Sequence, residues 1–152
     1  MFDFKYLIGY EEVSCGAEIT YDISNINKCW DFLMLSYEIC HVDKNGHYWV
    51  ESSFDLLDKA GNANLSRYPK QDKVNLWKTI FELKDYYFSR SKPDIVEHFI
   101  DGEYSYAKRL ILYQKYLQPH GYEYVKGHKT NCFYLVKNSV LNHFATDVYR
   151  TL

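Results

Sequence analysis

The sequence predicts an α+β fold: a single domain over residues 1–152, with a mostly antiparallel central sheet of six to seven strands and two main helices over residues 72–90 and 104–118. Three observations carry that prediction. Short runs of alternating apolar and polar residues recur through residues 2–54 and 93–137, and period two marks a half-buried strand. Two longer stretches repeat apolar residues at helical spacing. No Pro-, Gly- or Ser-rich linker, internal repeat or low-complexity segment divides the 152 residues, a length that encloses one core without metal or disulfide support.

Taken in order, residues 2–13 and 17–23 read as a hairpin about the turn Ser14, Cys15 and Gly16. Ala17, Ile19 and Tyr21 alternate there with Glu18, Thr20 and Asp22, which leaves one face wet. Residues 24–27 connect, or cap a short helix over 28–33. Leu33, Leu35, Tyr37 and Ile39 share one face of the next strand, with Met34, Ser36, Glu38 and Cys40 on the other. Asn45 and Gly46 then turn the chain into a partner strand over 47–54, since Asn-Gly between extended runs is a strong hairpin signal. Residues 55–71, with Gly61 and Pro69, form the longest loop. In the helix over 72–90, which Asp72 is placed to cap, Leu76, Ile80, Leu83 and Tyr87 make one stripe. Val74, Trp77, Phe81 and Phe88 make a neighbouring one, so the helix lies across a sheet.

Pro93 keeps the residue before it out of helical angles and opens a strand on which Val96, His98 and Ile100 share a face. Asp101 and Gly102 break it. Tyr106, Leu110, Tyr113 and Leu117 line one side of the second helix, which Pro119 and Gly121 end. Strands over 122–125 and 132–136 follow, joined by a turn over 126–129, and residues 138–149 start a last short helix or a fraying tail.

Composition narrows function without naming it. A net charge of −2 gives no general attraction to nucleic acid or an anionic membrane. The halves differ: residues 1–76 carry 7 Lys/Arg against 12 Asp/Glu, a balance of −5, and residues 77–152 carry 11 against 8, a balance of +3. Cys15, Cys29, Cys40 and Cys132 show neither C-x-x-C spacing nor close histidine pairing, so no metal and no redox motif is expected; reduced, buried thiols in a cytoplasmic protein fit better. No signal peptide or membrane-length apolar run is read. The 16 Tyr and 9 Phe suit a thin core with hydroxyls at its rim, and suit interfaces equally.

Element order and the second helix resemble the GNAT acyltransferase fold. The matching residues are Leu112, Tyr113, Gln114 and Lys115 in the helix, then His120, Gly121 and Tyr122 stepping into the next strand. The resemblance implies Tyr113 as a general acid toward a departing thiolate, and Glu38 and Glu51 are candidate general bases toward an amine. The family's Gly-rich pyrophosphate turn is not matched: residues 66–72 carry Pro69 and Asp72 and no glycine, so no cofactor is expected.

Three functions follow as expectations. The first is a non-catalytic protein-interaction module (an inhibitor, immunity-type or regulatory partner of another protein), with Tyr122, Tyr124, Lys126, Lys129 and Tyr134 as its partner-binding residues. The second is a divergent acyltransferase using Tyr113. The third is RNA or single-stranded DNA binding through the Lys and Tyr residues of 108–137, bases stacking on exposed rings. His98 reads as a hydrogen-bonded core residue, and His41 with His47 as an incomplete metal site.

Overall fold

The computed structural model describes residues 2–63, 73–100, 103–127 and 129–142. A 3-10 turn at Phe4–Tyr6 leads into β1 (Leu7–Val13), β2 (Gly16–Asp22), β3 (Phe32–Val42) and β4 (Tyr48–Leu57). Then come α1 (Lys73–Ser91), β5 (Ile95–Phe99), α2 (Glu103–Tyr116), β6 (Tyr122–Lys126), β7 (Cys132–Lys137) and α3 (Asn138–Leu141). The seven strands form one sheet in the order β1-β2-β3-β4-β5-β7-β6.

The sheet is mixed, which corrects the expectation of a mostly antiparallel one. Hairpin turns join β1 to β2 and β3 to β4 antiparallel. The link from β4 to β5 instead runs through the 19-residue α1, and β5 pairs with β4 in parallel. A crossover helix returns the chain to the same end of the sheet, so parallel pairing follows from the connection. Alternation within a strand carries no information about its direction.

Both long helices pack against one face of the sheet. Leu76, Ile80, Leu83, Tyr87 and Phe88 of α1 and Tyr113 of α2 join Ile19, Leu33, Leu35, Tyr37, Leu56, Val96, Phe133 and Leu135 in one buried cluster. Rings interlock across it: Tyr37 stacks on Tyr87 with centroids 3.5 Å apart, and Phe81 meets Tyr113 edge-on at 5.0 Å. The opposite face has a smaller core under α3, built from Ile95, Val125, Cys132, Tyr134, Val136 and Val140. Among the described residues no helix is long and apolar enough to cross a membrane.

Three local expectations change. Val74, expected on the second apolar stripe of α1, is 81% exposed, while Leu76 two residues on is buried. Residues 28–31 form no helix; the Asn27 Oδ1 accepts the Cys29 and Trp30 backbone N–H groups, a side-chain turn that competes with helix formation. Cys15, Cys29 and Cys40 are exposed and only Cys132 is buried, because the first three stand in a turn, a loop and the wet face of β3. The phosphate-turn residues 66–72, the Asp72 cap and the chain after residue 142 lie outside the described residues.

Candidate functional site

The centre of the molecule holds a polar cluster inside the apolar helix–sheet contact. Lys84 falls on the buried side of α1, one turn after Ile80 and just under one turn before Tyr87, and is 1% exposed. Its Nζ lies 2.7 Å from Ser52 Oγ on β4 and 3.2 Å from His98 Nε2 on β5. The rings of Tyr37 on β3 and Tyr113 on α2 stand on either side, each with its centroid 5.7 Å from the amine. Phe133 on β7 stacks flat on His98 at 4.9 Å.

Burial sets the protonation of this cluster. Desolvation pulls the Lys84 amine down to about 7. Burial, and then the neighbouring Lys84, hold His98 well below the ordinary histidine value. The Tyr37 hydroxyl is driven well above its usual value by the same loss of water. The Lys84 amine donates to the Ser52 Oγ, and the His98 Nε2 lies within hydrogen-bond distance of the same nitrogen.

The cluster also marks a fork. Pairing of β4 with β5 runs from Trp49 opposite Ile95 to Ser52 opposite His98, and no later β4–β5 pair follows among the described residues. β4 continues to Leu57 paired with β3, whereas β5 ends at Phe99. Ser52 and His98 are therefore the last rung before the two parallel strands part.

A second arrangement lies on the other face. Glu38 stands opposite Glu51 across β3 and β4, and Glu51 stands opposite Glu97 across β4 and β5. On the same face Glu11 of β1 faces Glu18 of β2. The strands β1 to β4 contain no Lys or Arg, while Glu11, Glu12, Glu18, Asp22, Glu38, Glu51 and Asp55 all carry acid groups. Glu38 and Glu51 are exposed; Glu97 is 8% exposed, with Lys129 Nζ at 3.9 Å and the Cys132 thiol donating to it at 3.4 Å. Burial, and then Glu97, push that thiol up to about 12, so Cys132 stays protonated.

The residues singled out in the sequence are thus divided between faces. Tyr113 is buried beside Lys84 and His98, its ring 5.3 Å from the imidazole, while Glu38 and Glu51 lie across the sheet from it. The expected Lys and Tyr surface is not a surface of exposed rings. Tyr134 is fully buried, Tyr122 donates its hydroxyl to the Pro93 carbonyl, and Tyr124 donates to the Tyr113 and Leu117 carbonyls at the foot of α2. Lys126 and Lys129 remain exposed. Tyr122 and Tyr124 pack, partly buried, against the helix–sheet core, and Tyr134 belongs to the smaller core on the opposite face. His41 faces Trp49 across the hairpin and His47 lies 3.6 Å from Asp43, so the two histidines turn to different partners.

Sequence reading missed Ser52, Lys84 and Glu97. For Lys84 a signal existed: its position continues the Leu76, Ile80 stripe, where a lysine is out of place unless it is buried and paired. Compared with known protein families, curated proteins and solved structures, the chain matches none.

Proposed function

We propose that the protein is an interaction module on a GNAT-like scaffold, acting by docking a basic, extended segment of another protein on the acidic face of β1 to β4. The strand order and the α1 crossover keep the element order from which the resemblance arose. The carrying observation is the pairing of Glu38 with Glu51 across β3 and β4, in a half-sheet of β1 to β4 whose strands hold no Lys or Arg, with Glu97 of β5 opposite Glu51 beyond it. Like charges directly opposite each other destabilise a sheet, by roughly 0.2–1 kcal/mol per pair. A cationic partner relieves that repulsion, and a phosphate backbone or anionic lipid surface is repelled by it.

The test uses a 12-residue peptide of alternating lysine and valine as the cationic partner. It should bind at low salt, weaken steeply with added salt, and shift the backbone resonances of β2 to β4. A Glu38→Lys, Glu51→Lys double variant should lose binding. The single change Glu51→Gln removes a repulsion on each side, so it should raise the unfolding free energy by about 0.5–1 kcal/mol. Salt-insensitive binding, or binding kept by the double variant, rejects the acidic face.

The fork between β4 and β5 favours a second reading, acyl transfer with Tyr113 as proton donor. Tyr113→Phe should then abolish turnover of an acyl-coenzyme A while leaving the thermal shift it induces intact. Absence of any shift with acetyl- or longer acyl-coenzyme A removes this reading.

A further inference from the structure

We propose that Ser52 is a nucleophile activated by Lys84, and that it is acylated by small uncharged esters or thioesters entering where β4 and β5 part. The inference goes beyond the docking reading and uses the opposite face of the sheet. It stands first on placement. Ser52 stands opposite His98 on the last paired rung of two parallel strands, and the Lys84 amine reaches from α1 to within 2.7 Å of its hydroxyl. Diverging ends of parallel strands are where sheets of this kind admit ligands between the backbones.

The second support is the company the amine keeps. A lysine used only to satisfy a buried serine is a poor solution, since its desolvation costs several kcal/mol and an apolar side chain fills the same space. Here the rings of Tyr37 and Tyr113 and one imidazole stand beside the amine, and among the described residues no carboxylate pairs with it. Those surroundings favour the neutral, basic form that a general base needs, and the low amine pKa agrees. His98 Nε2 and Ser52 Oγ hold the amine nitrogen at 3.2 and 2.7 Å, and on losing its proton that nitrogen has a lone pair to take the Ser52 hydroxyl hydrogen. Ser52, 8% exposed, is the most open of the trio, ahead of His98 at 3% and Lys84 at 1%.

The chemistry balances with these groups alone. The Ser52 Oγ attacks the acyl carbonyl carbon as its proton passes to the Lys84 Nζ, forming a new C–O bond. The bond from that carbon to the ester oxygen or thioester sulfur breaks, and the leaving alkoxide or thiolate takes the proton back from the Lys84 ammonium. Water then attacks the acyl-serine by the same route, with Lys84 as base, releasing a carboxylic acid and restoring Ser52. The aromatic walls select small uncharged acyl groups, because a carboxylate entering beside Lys84 would pair with it and hold it protonated.

The full chain is treated with a fluorophosphonate and, separately, with p-nitrophenyl acetate, and the modified peptide is identified by mass spectrometry. A single adduct on Ser52 is expected, forming faster as pH rises through about 7, where the amine loses its proton. Ser52→Ala should lose the adduct, and Lys84→Met should slow it by about 100-fold or more. Peptide mapping of the unaltered chain reports the site even where a variant folds poorly. An adduct confined to exposed residues, no adduct on the folded chain, or an unchanged rate in Lys84→Met each overturns the proposal.

Discussion

Replacing Lys84 by methionine should raise the unfolding free energy at pH 7.5 by about 2–4 kcal/mol and flatten its dependence on pH. In the parent chain burial pulls the amine down to about 7, against 10.5 for an exposed lysine. Between those values the unfolded chain binds the extra proton, so stability rises with pH, by a little over 1 kcal/mol per unit. Across the whole interval the change is roughly 4–5 kcal/mol. It is fully present above the unfolded value and lost as pH falls to the folded one. His98, depressed in the same way, extends the loss below about 6.5. Around the amine stand Tyr37 from β3, Ser52 from β4, His98 from β5 and Tyr113 from α2, and among the described residues no carboxylate pairs with it. Tyrosine hydroxyls that burial raises, at Tyr37 and Tyr87, begin to oppose the trend above about pH 10, where an unfolded tyrosine ionises.

The variant gives up two hydrogen bonds, worth about 1 kcal/mol each, which is why the net gain falls short of the full titration. Urea unfolding at pH 7, 8 and 9 measures both quantities. A variant less stable than the parent at pH 7.5, with the parent's pH slope intact, would show that the amine is not desolvated as the geometry requires. A confirmed gain carries a functional message. A chain that keeps a lysine where methionine is better by several kcal/mol is trading stability for something the amine does.

The strands, both long helices and the β3–β4 hairpin were legible because each has a local cause. Alternation gives Leu33, Leu35 and Tyr37 one face; helical spacing gives Leu76, Ile80 and Leu83 another; Asn45 and Gly46 turn the chain. His98 was legible as a hydrogen-bonded core residue for the same reason. The site was not legible. Ser52, Lys84 and His98 are separated by 32 and 14 residues, and only the parallel pairing of β4 with β5 brings the strand members level. The glutamate row was hidden likewise: Glu38 and Glu51 follow from the hairpin register, but Glu97 joins them through the α1 crossover. Tyrosine misled for a different reason. Its ring is core and its hydroxyl is polar, so Tyr122 and Tyr124 read as a binding surface when their hydroxyls in fact bond to backbone carbonyls.

Gly16→Ala should cost about 3 kcal/mol or more, against about 1 kcal/mol for Gly46→Ala at the other hairpin turn. Both glycines have positive φ, 151° and 80°. They differ in what stands above them. A Cβ on Gly46 meets nothing within 4 Å, so only backbone strain is paid. A Cβ on Gly16 would overlap the Tyr37 carbonyl oxygen outright, with the carbonyl carbon at 2.8 Å and Glu38 Cα at 3.1 Å, all of it backbone that no rotamer change can move aside. The β1–β2 hairpin must then swing off β3, breaking the pairing of Gly16 with Glu38 and the 2.7 Å bond from the Ile39 N–H to the Cys15 carbonyl. Glu11 and Glu18 leave the acidic face with it. Ser52 on β4 and His98 on β5, the partners of Lys84 on α1, lie two and three strands from β2, so Gly16→Ala should weaken binding of the cationic peptide while leaving the slope of stability with pH unchanged. Urea unfolding of the two glycine variants side by side separates a contact that the sheet cannot accommodate from a turn that it can; equal losses would mean that β2 does not lie against β3 as closely as the pairing of Gly16 requires.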